Sequence, residues 1–158
     1  MVCGMNTLKT KPLYSRVLKS EPTMAHATRL GEETEFEIFG RKMTAKLWGN
    51  PDGYPTLAIH GWLDNASTFD RLAPLLPELN IIALDLAGHG KSDHRAPGVQ
   101  YHHGDYVLDI MCLVEKLNWS SFNLIGHSMG GASLLMAAQR APQLFRALFV
   151  FEPIVFPP

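Results

Sequence analysis

Cysteine is almost missing from this chain: Cys3 and Cys112 are the only two in 158 residues. Two thiols make no disulfide framework, which argues against a stapled secreted scaffold and makes a reducing, cytoplasmic setting the expectation. Long apolar runs are missing too. Nothing approaches the roughly 18 consecutive apolar residues of a membrane-spanning helix. Neither sign of charge is in excess: 14 Lys and Arg stand against 15 Asp and Glu, a formal net charge of −1. That balance gives no electrostatic reason to expect nucleic acid or an anionic membrane as partner. No internal repeat is present. Histidine is absent from everything after His127, although the chain has 7 of them. What remains, 46% hydrophobic and 18% charged, is the composition of one ordinary globular domain.

Residues 1–25 read differently from the rest. Lys9, Lys11, Arg16 and Lys19 precede the first acid, Glu21, with Ser and Thr between them. This reads as a disordered leader, or as a start placed too early with Met24 the true first residue. The alternative is an organellar transit peptide, which is basic and acid-poor, but arginine is scarce and Pro12 and Pro22 interrupt any amphipathic helix. The domain itself is expected over 34–158.

There, strand and helix patterns alternate. Glu35–Phe39 and Met43–Trp48 read as an antiparallel hairpin turning at Gly40-Arg41. Thr56–Ile59, Ile81–Leu84, Phe122–Ile125 and Ala147–Phe151 are short apolar runs, the mark of buried parallel strands. Between them, Ala66–Leu79 reads as a helix, with Phe69, Leu72, Leu75, Leu76 and Leu79 on one face and Ser67/Asp70 as a capping box. Pro74 and Pro77 are expected to divide or bend it. Tyr106–Leu117 is amphipathic through Val107, Ile110, Met111, Val114 and Leu117, and Ala132–Ala141 reads as another helix. This order implies an α/β fold, a mostly parallel doubly wound sheet with helices on both faces. Ligands bind at the C-terminal strand ends of such sheets, and three unusual turns sit at three such ends: His60-Gly61-Trp62, Asp85–Ser92 and Gly126–Gly131.

The last of these organises the chain. Gly126-His127-Ser128-Met129-Gly130 fits G-x-S-x-G between a strand and a helix, the context of a nucleophile elbow. A serine at so sharp a turn sits in strained backbone with its hydroxyl raised above the sheet edge. Gly126 and Gly130 leave room for strand and helix to approach, and the following helix directs its N-terminus at the site.

With these three turns in this order, the chain resembles the α/β-hydrolase superfamily. The string His60-Gly61-Trp62-Leu63-Asp64-Asn65-Ala66-Ser67-Thr68-Phe69-Asp70 is similar to that of the serine hydrolase-like proteins. The resemblance implies an α/β-hydrolase fold with Ser128 as nucleophile and the backbone N–H of Met129 as one oxyanion donor. It also implies the N–H of Trp62 as the second donor and Glu152 as a possible acid. Relatives of this fold that dehalogenate or open epoxides carry Asp at the elbow. Ser implies acyl chemistry on esters, thioesters or lactones, with a small-molecule substrate and neither cofactor nor metal.

The chain departs from the family's order of Ser, then acid, then His. After Ser128 come one acid, Glu152, and no histidine; the histidines at 26, 60, 89, 94, 102, 103 and 127 all precede it. The expectation is therefore the N-terminal portion of a serine hydrolase, ending after about the sixth strand and inactive by itself. The alternative is a non-catalytic binding or regulatory module that retains the elbow. Leu148–Phe151 would then be an uncovered apolar edge that invites self-association. His60 and His89 read as residues that shape their turns. Trp62, Phe69, Met129 and Phe156 read as an apolar acyl pocket or, equally, as core. Two sharper readings fail. Gly90-Lys91-Ser92 would need glycine at position 85 to end a phosphate-binding loop, and Asp85 stands there. The adjacent His102 and His103 do not give a metal-ligand spacing and read as solvated loop.

Overall fold

A computed structural model describes residues 28–154 of the protein. The leader and Phe156 therefore lie outside the described residues. The chain forms β1 (Arg29–Ile38), β2 (Arg41–Gly49), β3 (Tyr54–Ile59), β4 (Leu79–Leu84), α1 (His103–Lys116), β5 (Phe122–His127), α2 (Met129–Arg140) and β6 (Phe145–Phe151). The six strands make one sheet in the order β1-β2-β4-β3-β5-β6. β3, β4, β5 and β6 are mutually parallel, and β2 joins β1 and β4 antiparallel. The expected α/β-hydrolase sheet is present, and the hairpin turns one residue earlier than expected. Phe39 and Gly40 hold φ of 50° and 72°, the left-handed pair that matches the twist of adjoining strands.

Alternation along each strand divides the core in two. Leu57, Ile59, Ile82, Leu84 and Leu124 face one side, with Ile110 and Leu113 of α1 and Leu134 of α2 packed on them. Ala58, Ile81, Ala83 and Ile125 face the other, against Ala66, Phe69 and Ala73. Both α-helices thus cover the same face. The expectation of helices on both faces is corrected: among the described residues, the second face is covered by short 3₁₀ turns.

Those turns, Ala66–Phe69 and Ala73–Leu75, replace the single helix expected over 66–79. Pro74 enters the second turn near its start. Pro74 and Pro77 each lack an amide hydrogen, so an α-helix through both loses two ladder bonds. The capping box also dissolves. Asn65 is the cap and accepts the Ser67 N–H at 2.9 Å, while the Asp70 carboxylate pairs with Lys46 Nζ at 2.8 Å. At α1 the helix begins at His103, so His103 opens a helix instead of lying in a loop. The Asp105 carboxylate accepts the His102 N–H at 3.2 Å. The buried stripe of α1 carries Tyr106, Asp109 and Leu113, which periodicity did not place there, and Met111 is only half-buried.

Candidate functional site

Because β3, β4 and β5 are parallel, their C-terminal ends and the turns that follow meet along one edge of the sheet. β5 enters α2 through Ser128, whose backbone stands at φ 50°, ψ −117°. An L-residue reaches that region only when its surroundings hold it there. Here the Ser128 N–H donates to Phe151 O at 3.0 Å, and its carbonyl accepts Ala132 N at 3.0 Å and Ile154 N at 3.4 Å. Two glycines make the turn sterically possible. A Cβ on Gly126 would lie 2.7 Å from Gly131 Cα, and one on Gly130 would collide with the carbonyls of Ile59 and His60. Ser128 is half-buried. Met129 is the first helical residue, and amides of a helix's first turn have no acceptor within the helix.

His60, at the end of β3, is fully buried, and both its ring nitrogens are spent. Nδ1 donates to Gly61 O at 2.7 Å, and Nε2 accepts the Leu86 N–H at 3.0 Å. The second bond requires an unprotonated Nε2, which settles the tautomer. Burial pushes the His60 pKa below its ordinary value, with the Gly61 carbonyl opposing. His89 stands beside it, ring centroids 5.1 Å apart, with Nδ1 donating to Ala87 O at 3.1 Å. Asp85 and Ser92 have backbone partners. Asp85 accepts Ala66 N at 2.6 Å and Lys91 N at 2.8 Å. Ser92 Oγ accepts Thr44 N at 2.8 Å and donates to Asp85 O at 2.6 Å. These residues lace the β3 and β4 turns and β2 together.

A cavity of ≈ 710 Å³ opens beside this edge, lined by Trp62, His89, Tyr101, Tyr106, Met129 and Ile154 among others. Ser128 adjoins it through Met129. Trp62 is 69% exposed at its rim, followed by Leu63 in the left-handed region at φ 61°. Of the expected site residues, Ser128, Met129 and Trp62 gather at this edge. Glu152 follows β6, exposed, at φ 46°, two residues before the Ile154 amide that binds the Ser128 carbonyl. Phe69 does not belong here: it is 3% exposed in the core of the opposite face, the second of the two roles expected for it. His127 turns its Nδ1 toward Gly61, and that nitrogen is buried without a hydrogen-bond partner among the described residues. No cluster of three metal-ligating side chains occurs among the described residues.

Sequence reasoning missed the cavity's tyrosine wall and what holds it. Arg95 Nη2 meets Asp109 Oδ2 at 2.6 Å, and Arg41 Nη2 meets Asp109 Oδ1 at 2.6 Å, with the Asp109 side chain 1% exposed. Burial raises the Asp109 pKa, opposed by Arg95 and then Arg41. The Arg95 guanidinium lies 5.7 Å from the Tyr101 ring and 5.8 Å from that of Tyr106, within cation–π reach. The one available signal was an aspartate, Asp109, beside the apolar stripe of α1.

Residues 54–157 match the sequence family described as the alpha/beta hydrolase fold. A human serine hydrolase-like protein is 43% identical over 115 residues, 72% of this chain and 57% of that protein. A probable serine hydrolase of Drosophila melanogaster is 44% identical over 113 residues, 70% of this chain and 34% of that protein. The chain thus spans between a third and just over half the length of these relatives. Among solved structures, a hypothetical protein of Pseudomonas aeruginosa superposes with a TM-score of 0.76 at 44% identity, covering 80% of this chain and 45% of that one. A thioesterase domain from the curacin biosynthetic pathway superposes with a TM-score of 0.76 at 27% identity, covering 81% and 48%.

Proposed function

The chain belongs to the α/β-hydrolase fold family, and from that premise we propose that Ser128 is a nucleophile for acyl chemistry on a carboxylic ester, thioester or lactone. The observation that carries this reading is the backbone of Ser128, held at φ 50°, ψ −117° between β5 and α2, a strained conformation of the kind that clusters at active sites. Serine at this turn supports acyl chemistry, and the thioesterase domain that shares the fold is one relative with a name of that kind. In the proposed step Ser128 Oγ adds to the substrate carbonyl and the oxygen becomes an oxyanion. The N–H groups of Met129 and Trp62 are the proposed donors to it. Each donor of this kind is worth about 3–4 kcal/mol of barrier.

The Ser128 proton needs an acceptor. His60 does not qualify, since its Nδ1 carries a proton and its Nε2 is engaged by Leu86. No histidine follows Ser128 in these 158 residues. Glu152 is the proposed acid, and an acid acts in such a triad only by orienting a histidine. We therefore expect this polypeptide by itself to be inactive or nearly so. The alternative reading is a binding or regulatory module that keeps the elbow without catalysis. No helix of the described residues is long and apolar enough to cross a membrane. With two cysteines and Cys112 unpaired, a reducing compartment such as the cytoplasm is the proposed setting.

The test combines a fluorophosphonate probe with a thiol substitution. The 158-residue protein should label no faster than Ser128→Ala. Ser128→Cys needs no base and sits at a helix N-terminus, so it should alkylate with iodoacetamide faster than N-acetylcysteine at pH 7. Alkylation no faster than the free thiol would remove Ser128 as nucleophile. Labelling abolished by Ser128→Ala would show that these residues already hold a working base.

A further inference from the structure

The cavity beside Ser128 has a chemistry of its own. Its walls are aromatic and soft: Trp62 at the rim, Tyr101 and Tyr106 as a pair with centroids 6.2 Å apart, and Met129 and Ile154 near the elbow. Flat side chains of this kind give large contact area, and rings pack on them offset or edge-on. Among the described residues no lysine or arginine lines the cavity; besides His89, His94 and His103, the charged residue that does is Asp64. The Asp64 carboxylate accepts Asn65 N at 2.9 Å and the Thr68 hydroxyl, so it is held in place. Arg95 lies against the two tyrosine rings, but its guanidinium is bound to Asp109 and only 9% exposed. It fixes the wall and is not offered to a ligand. The Tyr101 hydroxyl, which accepts Arg95 N at 3.0 Å and contacts His94 Nδ1 at 3.1 Å, ties the ring to the same loop. His89 lines the cavity with its Nδ1–H committed to Ala87 O; in the neutral ring Nε2 is the acceptor.

We infer that this cavity binds an uncharged group carrying an aromatic ring and a hydrogen-bond donor, and discriminates against carboxylates and other anions. The ring seats between Trp62 and the tyrosine pair, and the donor meets His89 Nε2. An anion would shed its hydration into a pocket that no lysine or arginine lines among the described residues, facing a fixed carboxylate. Calling this group part of the substrate rests on the reading of Ser128 as nucleophile; the binding itself does not.

Acetanilide and benzoate are the probes. Each has one benzene ring; the first is a neutral amide with an N–H, the second an anion. Saturation-transfer NMR and titration with the 158-residue protein should show acetanilide binding with a Kd of about 1 mM, ordinary for so small a ligand. Benzoate should bind at least about tenfold more weakly. Trp62→Ala, at an exposed position that threatens no core packing, should weaken acetanilide about fivefold or more. Gln100→Lys, which puts a cation on the cavity lining, should narrow or reverse the preference. Benzoate binding as well as acetanilide, or a Trp62→Ala affinity within twofold of the parent, would overturn the inference. A protein that binds acetanilide while Ser128→Cys shows no enhanced reactivity retains this site and loses the nucleophile. One with a reactive Ser128→Cys that ignores acetanilide does the reverse.

Discussion

His60 and Leu86, 26 positions apart in the chain, are joined by a hydrogen bond from the Leu86 amide to His60 Nε2 at 3.0 Å. Through it the ends of β3 and β4, two of the three turns that build the site, share one buried imidazole. The bond exists only while Nε2 is unprotonated. His60 therefore makes the geometry of the site depend on pH.

The folded-state pKa of His60 is depressed by burial. In the unfolded chain it returns to about 6.5. Between the two values the unfolded state binds more protons, so His60 contributes stability that is present above pH 6.5 and lost as pH falls through the folded pKa. Stability should decline as pH drops from about 7 to 5.5, by at most about 1.4 kcal/mol per pH unit from this group. Urea midpoints across that range should show the slope. His60→Phe should be destabilised by about 1–3 kcal/mol, since it orphans the Leu86 amide, and should lose this part of the slope. Equal slopes in both proteins would assign the pH dependence to other groups.

Gly130→Ala should be badly tolerated. The added methyl points at the backbone carbonyls of Ile59 and His60, and backbone cannot rotate aside as a side chain does. A loss of about 3 kcal/mol or an insoluble protein is expected. A soluble variant with the parent's denaturation midpoint would mean that β3 and α2 are not packed as described.

Asp109→Ala leaves Arg41 and Arg95 facing a buried gap. Breaking a buried pair on one side costs about 3–5 kcal/mol. The raised pKa of Asp109 shows that burial outweighs both arginines. Removing all three charges together, in Arg41→Leu/Arg95→Met/Asp109→Leu, should therefore cost much less than Asp109→Ala. A triple variant as unstable as the single one would show that the charges are a net source of stability.

β6 forms an edge of the sheet among the described residues, and Phe149 and Phe151 are 58% and 51% exposed. An open apolar edge is a template for another strand. We propose that the 158-residue protein self-associates at tens of micromolar, and that Phe149→Lys/Phe151→Lys reduces this. Light scattering that gives a monodisperse monomer for the parent would remove the proposal.

How legible the molecule was in its sequence varied from element to element, for physical reasons. The strands were legible because burial on both faces leaves short apolar runs such as Ile81–Leu84. The tight turn at Ser128 was legible because only glycine at 126 and 130 lets strand and helix approach so closely. Ala66–Leu79 misled, since its apolar spacing suits a helix and spacing does not register two missing proline amides. The tyrosine wall was invisible. Tyr101 and Tyr106 meet Arg95 where it pairs with Asp109 of α1, which Arg41 of β2 also holds.

By itself, the amino-acid order determined the α/β alternation, the mostly parallel strands and the conformation forced on Ser128, because each follows from local sterics and from which residues avoid water. The tertiary structure alone decided what surrounds that serine: an imidazole with both nitrogens spent, a cavity that no lysine or arginine lines among the described residues, and an arginine hidden behind two rings. Those depend on groups far apart in the chain meeting in a medium of low dielectric, where a partner's presence or absence outweighs any local preference.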